Sequence, residues 1–340
     1  MSTSRHLMSH LSRSILALGA TLTLGLAGAP RAEAADFTIK IGTLATKSGP
    51  HGKVFATWAK AVAEKSGGRL ELQFFFNGQQ GDEGAMVAKV KSGQLAGAAV
   101  SGVGLGKVYK PIAALQMPGL FSSWSKLDAA RDALSAELMK GASDAGFTVL
   151  GWYDIGRVRG FGKGVAVRLP ESLRGQKALQ WRDDPIAPVF YQTLGGITPV
   201  QLNIPEVLPN LNTGALNALF ASPLEAEQLQ WASKLDHLSA EVESFHIAGL
   251  VVSSKVLDSL PADLKTILVD TAKVTTSALK TRIRSEDDAA FGRLKSKMTL
   301  VTRSASERGA WKAFYKKVRA RLGQGTFAPE LVTRLEELGG

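Results

Sequence analysis

The chain has 340 residues, of which 45% are hydrophobic and 21% are charged, and 41 Lys and Arg against 30 Asp and Glu give a net charge of +11. This length allows one large domain or two lobes, and this composition excludes both a disordered chain and a polytopic membrane protein. Because the sequence contains no cysteine, a disulfide framework, a zinc finger, a thiol nucleophile and an iron–sulfur cluster are also excluded.

Residues 1–34 have the three parts of a secretory leader. Arg5 and Arg13 form a positive segment, residues 15–29 form an uncharged apolar run, and Ala32-Glu33-Ala34 offers a cleavage site. The apolar run is short for a membrane span, so an uncut anchor helix is the weaker alternative. We therefore predict a signal peptide over residues 1–34 and a periplasmic mature protein.

The positive charge is dispersed along the chain. Its densest cluster lies on one predicted C-terminal helix with ordinary apolar spacing, and comprises Lys312, Lys316, Lys317, Arg319 and Arg321. Such a run is usually a solvated helix face. We expect no nucleic-acid partner, and at most a mild preference for anionic ligands or membrane surfaces.

In chain order, the hydrophobic pattern alternates between strands and helices. Strand patterns at residues 37–43 and 70–76 flank a helix closed by Gly67-Gly68, and a long helical pattern covers residues 261–297. Apolar strands at residues 147–153 and 247–252 have no turn beside them. This order predicts an α/β protein with a largely parallel sheet.

Two segments about 120 residues apart resemble each other. Residues 91–96 and residues 212–217 each stop a helix at a glycine and start a small-residue strand, which leads to a loop at Ser101 or Ser222. This echo predicts two α/β lobes with the two loops facing one cleft; coincidence is the alternative. We place the lobes at residues 35–155 plus 247–284 and residues 156–246 plus 285–340.

Catalytic patterns are scarce. After leader removal three histidines remain, His51, His237 and His246, without metal-ligand spacing, and no serine lies in a G-x-S-x-G elbow. The glycine-rich residues 102–107 fit neither a phosphate loop nor a dinucleotide fingerprint. We therefore expect no enzyme activity, no metal and no cofactor, with a periplasmic enzyme on the same scaffold as an alternative.

Binding features are richer. Aromatic side chains lie near predicted strand ends, and arginines cluster around Trp181, which stands in an otherwise polar run. Aromatic planes with guanidinium groups suit an anionic or polar solute, including an aromatic one. The alternative is that the aromatic residues are core and the arginines are solvated.

Several segments resemble the solute receptors of tripartite (TRAP) transporters, in their dicarboxylate-receptor (DctP-like) class. They are Gly67-Gly68-Arg69-Leu70, the Ser92-Gly93 helix stop, residues 169–177, residues 194–200 and residues 206–214. The resemblance implies a periplasmic receptor of two α/β lobes, joined by hinge-crossing strands and a long connecting helix. Such a receptor closes on a small organic solute and delivers it to small and large membrane subunits.

The chain departs from this family at one position. The family commonly carries an arginine that clamps a ligand carboxylate two residues beyond the lysine of Gly-x-Lys, where this chain has Leu179. Arg182 lies three positions further on, an odd offset that would turn it to the opposite strand face. This places the chain in an atypical sub-branch: either Arg159 takes over the charge, or the ligand is not a simple carboxylate.

From these observations we predict a monomeric solute receptor. We predict that Trp181 is a stacking platform for the solute, that Arg159 and Arg182 are hydrogen-bond donors to it, and that Asp184 is a polar partner. Tyr153 is predicted to form the floor of the cleft, and Ser101 and Ser222 to lie in the loops that close it. Phe220 is predicted to belong to an aromatic surface. A receptor for an ABC importer and a sensor lobe that feeds a signalling partner are alternatives that share this architecture.

Overall fold

The computed structural model describes residues 35–340, so the predicted leader at residues 1–34 lies outside the described residues. The helices are α1 (Pro50–Lys65), α2 (Glu83–Ser92), α3 (Gly102–Val108), α4 (Trp124–Asp144), α5 (Ala187–Leu194), α6 (Ile204–Thr213), α7 (Pro223–Gln228), α8 (Ser254–Ser259), α9 (Ala262–Leu294), α10 (Ala305–Leu322) and α11 (Pro329–Gly339). The strands are β1 (Phe37–Thr43), β2 (Leu70–Phe75), β3 (Gly97–Ser101), β4 (Phe147–Gly162), β5 (Leu179–Trp181), β6 (Val200–Leu202), β7 (Ala218–Ala221), β8 (His237–Ser239), β9 (Ser244–Ser253) and β10 (Thr299–Val301). Across residues 35–340, no helix combines the length and the apolar character that a membrane span requires.

The main sheet is mixed rather than largely parallel. Its strand order is β10-β8-β4-β9-β3-β1-β2, β7 also pairs with β4, and β5 pairs with β6 in a separate small sheet. β1 pairs in parallel with β2 and β3, whereas β9 runs antiparallel to both β3 and β4. The antiparallel pairs arise because β4 and β9 are the predicted crossing strands, which run through the middle of the sheet in opposite directions.

Local signals account for the helix ends. α1 begins at Pro50, where a missing N–H costs nothing, and it buries the face that carries Phe55, Trp58 and Val62. The echoed helix stops are also present, because Gly93 and Gly214 are left-handed caps of α2 and α6. The two copies of the echo therefore have the same local geometry.

The long connecting helix is α9, with 33 residues, which packs against α1, α7 and β4. At about 1.5 Å per residue it is roughly 50 Å long. It contacts β4 at a kink, since the β4–β9 register shifts between Asp154 and Gly156. A Cβ at Gly156 would lie 2.4 Å from the Cβ of Ser222 and 2.7 Å from Asp287 Oδ1, so only glycine fits there.

Candidate functional site

A cavity of about 260 Å³ lies where strand ends meet helix starts. One wall comes from the ends of β1 and β3 and the start of α2, and the other from the end of β5 and the starts of α6 and α7. The crossing strand β4 supplies the floor. This volume is suited to a small organic molecule.

The floor is built by Tyr153 and Ile155 of β4, with His51 beside them. The His51 ring lies 5.7 Å from the Tyr153 ring, and His51 Nε2 lies 3.3 Å from the carbonyl oxygen of Asp154. Burial lowers the pKa of His51 to about 4 and raises the pKa of Tyr153. At neutral pH both rings are therefore uncharged.

On the β3 side, Glu83 organises the wall. Its Oε1 accepts the N–H of Ser101 at 2.6 Å, and its Oε2 accepts the Ser101 hydroxyl at 2.5 Å and the N–H of Gly104 at 2.8 Å. Burial raises the pKa of Glu83, and these three hydrogen bonds oppose that effect. Ser101, which we predicted from the sequence as a cleft residue, thus lies in the cavity wall, and its hydroxyl already donates a hydrogen bond to Glu83.

On the β5 side, the wall is the run from Trp181 to Asp184. Trp181 is half-buried and its ring lies 5.7 Å from the ring of Trp231. Arg182 lines the cavity, but its guanidinium Nη2 donates a hydrogen bond to Glu206 Oε2 at 3.2 Å. Asp184 Oδ1 accepts a hydrogen bond from the N–H of Ile186 at 2.7 Å.

Two polar contacts join the opposite walls. Asn203 Nδ2 donates to Asp82 Oδ2 at 3.0 Å, and Lys107 Nζ lies 2.9 Å from Asp183 Oδ1. Gly84 permits the second approach, because a Cβ there would lie 2.8 Å from Asp183 Oδ2. The cavity is therefore bridged at its rim.

The structure brings five of the eight predicted site residues to this cavity: Ser101, Tyr153, Trp181, Arg182 and Asp184. Three lie elsewhere. Arg159 is buried, donates to the carbonyl of Ala240 and has its guanidinium 3.8 Å from the centroid of the Phe291 ring. Its side chain is thus held within the protein and is not a donor to the cavity.

The other two residues have structural roles. Ser222 is fully buried and caps α7, where its hydroxyl accepts the N–H of Glu225 at 3.1 Å. Phe220 packs 5.6 Å from the ring of Phe190 and 6.4 Å from that of Trp311. The loop at Ser222 still reaches the cavity, but through Glu225 rather than through the serine.

A second cavity of about 90 Å³ lies beside the first and is lined by Leu179, Phe220 and Glu243. Leu179 is buried on the same strand face as Trp181. Glu243 accepts from Arg303 NH2 at 2.6 Å and from the Tyr315 hydroxyl, so its charge is already paired. Leu179, the position at which the resemblance leads us to expect a clamping arginine, therefore presents an apolar side chain to this second cavity.

Several lining residues were not predicted from the sequence: His51, Glu83, Glu225, Gln228 and His246. Glu83 follows the helix cap Asp82, a common local pattern, and its partner Ser101 is 18 residues away. The Nε2 of Gln228 is buried without a hydrogen-bond partner among the described residues. Only the folded arrangement shows that these side chains share one cavity.

The family model for bacterial extracellular solute-binding proteins, family 7 (DctP), matches residues 41–324. The chain belongs to this family. A solute-binding protein of Verminephrobacter eiseniae is 26% identical over 274 residues, which cover 79% of this chain and 80% of that protein. Family membership confirms the predicted role as a solute-binding receptor.

Solved structures confirm the predicted two-lobed fold. A TRAP periplasmic solute-binding protein from Sulfurospirillum deleyianum with bound succinate has a TM-score of 0.82 and 19% identity, and covers 89% of this chain and 99% of its own. A sugar acid binding protein from Advenella mimigardefordensis in complex with galactonate has a TM-score of 0.83 and 17% identity. The match covers 90% of this chain and 99% of that protein.

Proposed function

We propose that this receptor serves a TRAP-type transporter in the periplasm. It captures one small organic solute by closing two lobes over it, as a monomer, and delivers the solute unchanged to small and large membrane subunits. The observation that carries the proposal is the 260 Å³ cavity, whose walls come from distant parts of the chain and whose rim is bridged by polar contacts. Lobe closure around a ligand is a common transition in proteins of this architecture.

The proposed lobes are residues 35–155 plus 247–284 and residues 156–246 plus 285–340. The register shift on β4 supports this division, because Asp154 pairs with Ile247 and Gly156 with His246 on either side of it. A bulge in the crossing strands is where a small change in backbone angles could rotate one half against the other.

Within the cavity, we assign Trp181 as the surface on which the solute packs and Tyr153 as the floor. Ser101, Arg182 and Asp184 complete the polar wall. Trp181 is suited to this role because one side of its ring is supported by Trp231 while the side chain also lines the cavity.

A thermal-shift and calorimetry screen of sugars, polyols, organic acids and amino acids tests the function. A ligand at 100 times its dissociation constant stabilises the folded state by roughly 2.7 kcal/mol, which raises the melting temperature by several degrees. We expect 1:1 binding and no product by mass spectrometry. Conversion of a bound solute into a new compound would contradict a receptor role.

Replacing Trp181 tests the assigned packing surface. Trp181→Ala should weaken binding of the identified solute by about 1–3 kcal/mol while the fold stays intact. Trp152→Ala is the matched control, because Trp152 is half-buried and hydrogen-bonded to Ser135 on a different face of the protein. Equal affinities for the Trp181 variant and the unchanged protein would remove Trp181 from the site.

A further inference from the structure

The walls of the main cavity are rich in carboxylates. Among the described residues that line it, five are acidic, Asp82, Glu83, Asp183, Asp184 and Glu225, and the single Lys or Arg is Arg182. That guanidinium is itself half-exposed and paired with Glu206. Lys107 at the rim is also paired, with Asp183, so the site offers little unpaired positive charge to an anionic solute.

Backbone N–H groups at four of the helix starts near the cavity are also occupied. Helix starts with free N–H groups attract anions. Here Asp82 accepts the N–H of Ala85 in α2, Glu83 accepts the N–H of Gly104 in α3, and Asp184 accepts the N–H of Ile186 just before α5. On α7, Ser222 accepts the N–H of Glu225 and Asp287 accepts the N–H of Leu224.

Two of the acidic side chains line the cavity from different walls. Glu83 belongs to the α2 wall and Glu225 to the α7 wall, and the charge of Glu225 acts to raise the pKa of Glu83, in addition to the larger effect of burial. A solute carboxylate placed between them would meet a like charge on each wall. A solute that presents hydrogen-bond donors or a positive group would relieve that repulsion.

The remaining arginine considered from the sequence does not supply a clamp. Arg159 points away from the cavity and Leu179 is apolar. Conversely, the buried Nε2 of Gln228 has a hydrogen to donate, so the solute also needs an acceptor. Both requirements are met by a solute with donors at one end and an acceptor at the other.

We propose that this receptor selects an uncharged or zwitterionic solute, whose hydrogen-bond donors face Glu83 and Glu225, and that it rejects organic anions. This inference rests on the proposed receptor function and names the chemical class of its ligand. It separates this chain from the succinate-bound and galactonate-bound proteins that share its fold.

Matched pairs of probes that differ in charge test the proposal by calorimetry. The pairs are galactitol with galactonate, succinamide with succinate, and alanine with lactate, each titrated into the purified protein. We expect a member without net negative charge to bind at least about tenfold more tightly than its anionic counterpart. Equal or tighter 1:1 binding of the anions would overturn the proposed ligand class but leave the receptor function standing. If none of the probes binds, the proposed ligand class is also overturned.

A charge-removing variant gives a second readout. Glu225→Gln keeps an oxygen that can accept the N–H of Ser222 and removes one negative charge from the cavity. Glu227→Gln is the control, since Glu227 lies on the same helix but pairs with Arg293 outside the cavity. If wall charge rejects anions, affinity for galactonate or succinate rises about tenfold in the first variant and stays unchanged in the second.

The two proposals fail in different ways. Anion affinities that are identical in Glu225→Gln and in the unchanged protein, with melting temperatures showing that both are folded, would overturn the charge argument alone. Conversion of a probe into a product would overturn the receptor function instead.

Discussion

Arg131 lies in a buried ion cluster beneath the floor of the cavity, and its replacement by methionine should be strongly destabilising. Its NH1 donates to Asp154 Oδ1 at 2.9 Å, and the two side chains are 2% and 0% exposed. Arg284 bonds the other oxygen of Asp154 at 2.7 Å and also pairs with Asp128. The cluster thereby ties α4, β4 and α9 together.

The expected loss follows from what Arg131→Met leaves behind. Removing one partner of a buried ion pair costs about 3–5 kcal/mol, because the remaining charge stays buried. Arg284 still neutralises part of Asp154, so we expect the lower end, about 3 kcal/mol. With an unfolding entropy near 2.1 cal/mol/K per residue and roughly 300 residues, the melting temperature falls by about 5 °C.

Urea unfolding followed by tryptophan fluorescence, together with calorimetry, measures this loss. Arg334→Met is the matched control, because its pair with Glu137 has a similar distance of 2.8 Å but the side chains are 48% and 50% exposed. An exposed pair contributes less than about 1 kcal/mol. If the Arg131 variant loses no more stability than this control, the buried cluster does not stabilise the floor of the cavity.

The same cluster gives an acid-unfolding readout. Although burial acts in the opposite direction, hydrogen bonds from Arg284 and Arg131 lower the pKa of Asp128 to about 2. Because the pKa of Asp128 is lower in the folded state, this carboxylate stabilises the protein at pH values above the ordinary pKa of an aspartate. That contribution to the free energy of unfolding is lost as the pH falls through about 2. Arg131→Met should therefore begin acid unfolding at a higher pH than the Arg334 variant.

Two further predictions concern α9 and the rim of the cavity. Burial raises the pKa of Asp287 to about 6, so its contribution to stability is fully present below about pH 4 and is lost as the pH rises through 6. The free energy of unfolding of the unchanged protein should fall between pH 4 and pH 7, and Asp287→Asn should reduce that fall by about 3 kcal/mol. The control is Asp288→Asn, at an exposed neighbouring position. Its plot of unfolding free energy against pH should stay parallel to that of the unchanged protein. Lys107→Ala removes the contact to Asp183 at the rim and should speed solute release about two- to fivefold in stopped-flow experiments at low salt. An unchanged release rate would show that this contact does not hold the cavity closed.

Local signals made much of the fold predictable. The helix stops at Gly93 and Gly214 need only neighbouring residues, and both are present. The crossing strands could be predicted because they are apolar and have no turn beside them. Ser101, Trp181, Arg182 and Asp184 could be placed because the ends of strands and the loops after them meet at one cleft, and Tyr153 could be placed because it lies on a predicted crossing strand.

Arg159 shows where this reasoning stops. The sequence offered Arg159 as a substitute for the missing clamp, but alternation along a strand gives only the face on which a side chain lies and not its partner. The register shift just before Arg157 changes how this part of β4 meets its neighbours, and the pairing of Arg159 with Ala240 joins residues 81 positions apart. No local pattern contains that contact.

Arg182 illustrates the opposite limit. An odd offset from Leu179 turns a side chain away only while the strand continues, and β5 ends at Trp181. Asp183 then adopts a left-handed backbone with φ of 69°, so the extended strand geometry ends here, and Arg182 lines the cavity. The end of a three-residue strand depends on its pairing with β6, which the sequence around Leu179 does not contain.

Alternation along β4 links the solute site to the ion cluster. Tyr153 and Ile155 face the cavity, so the side chain of Asp154 between them points to the other face, where Arg131 and Arg284 hold it. The floor of the cavity is thus fixed from below by charges that never meet the solute. In the proposed lobe closure one wall moves while the floor stays in place. A fully buried carboxylate bonded by two arginines supplies rigidity to the floor, at the residue next to the bulge in β4.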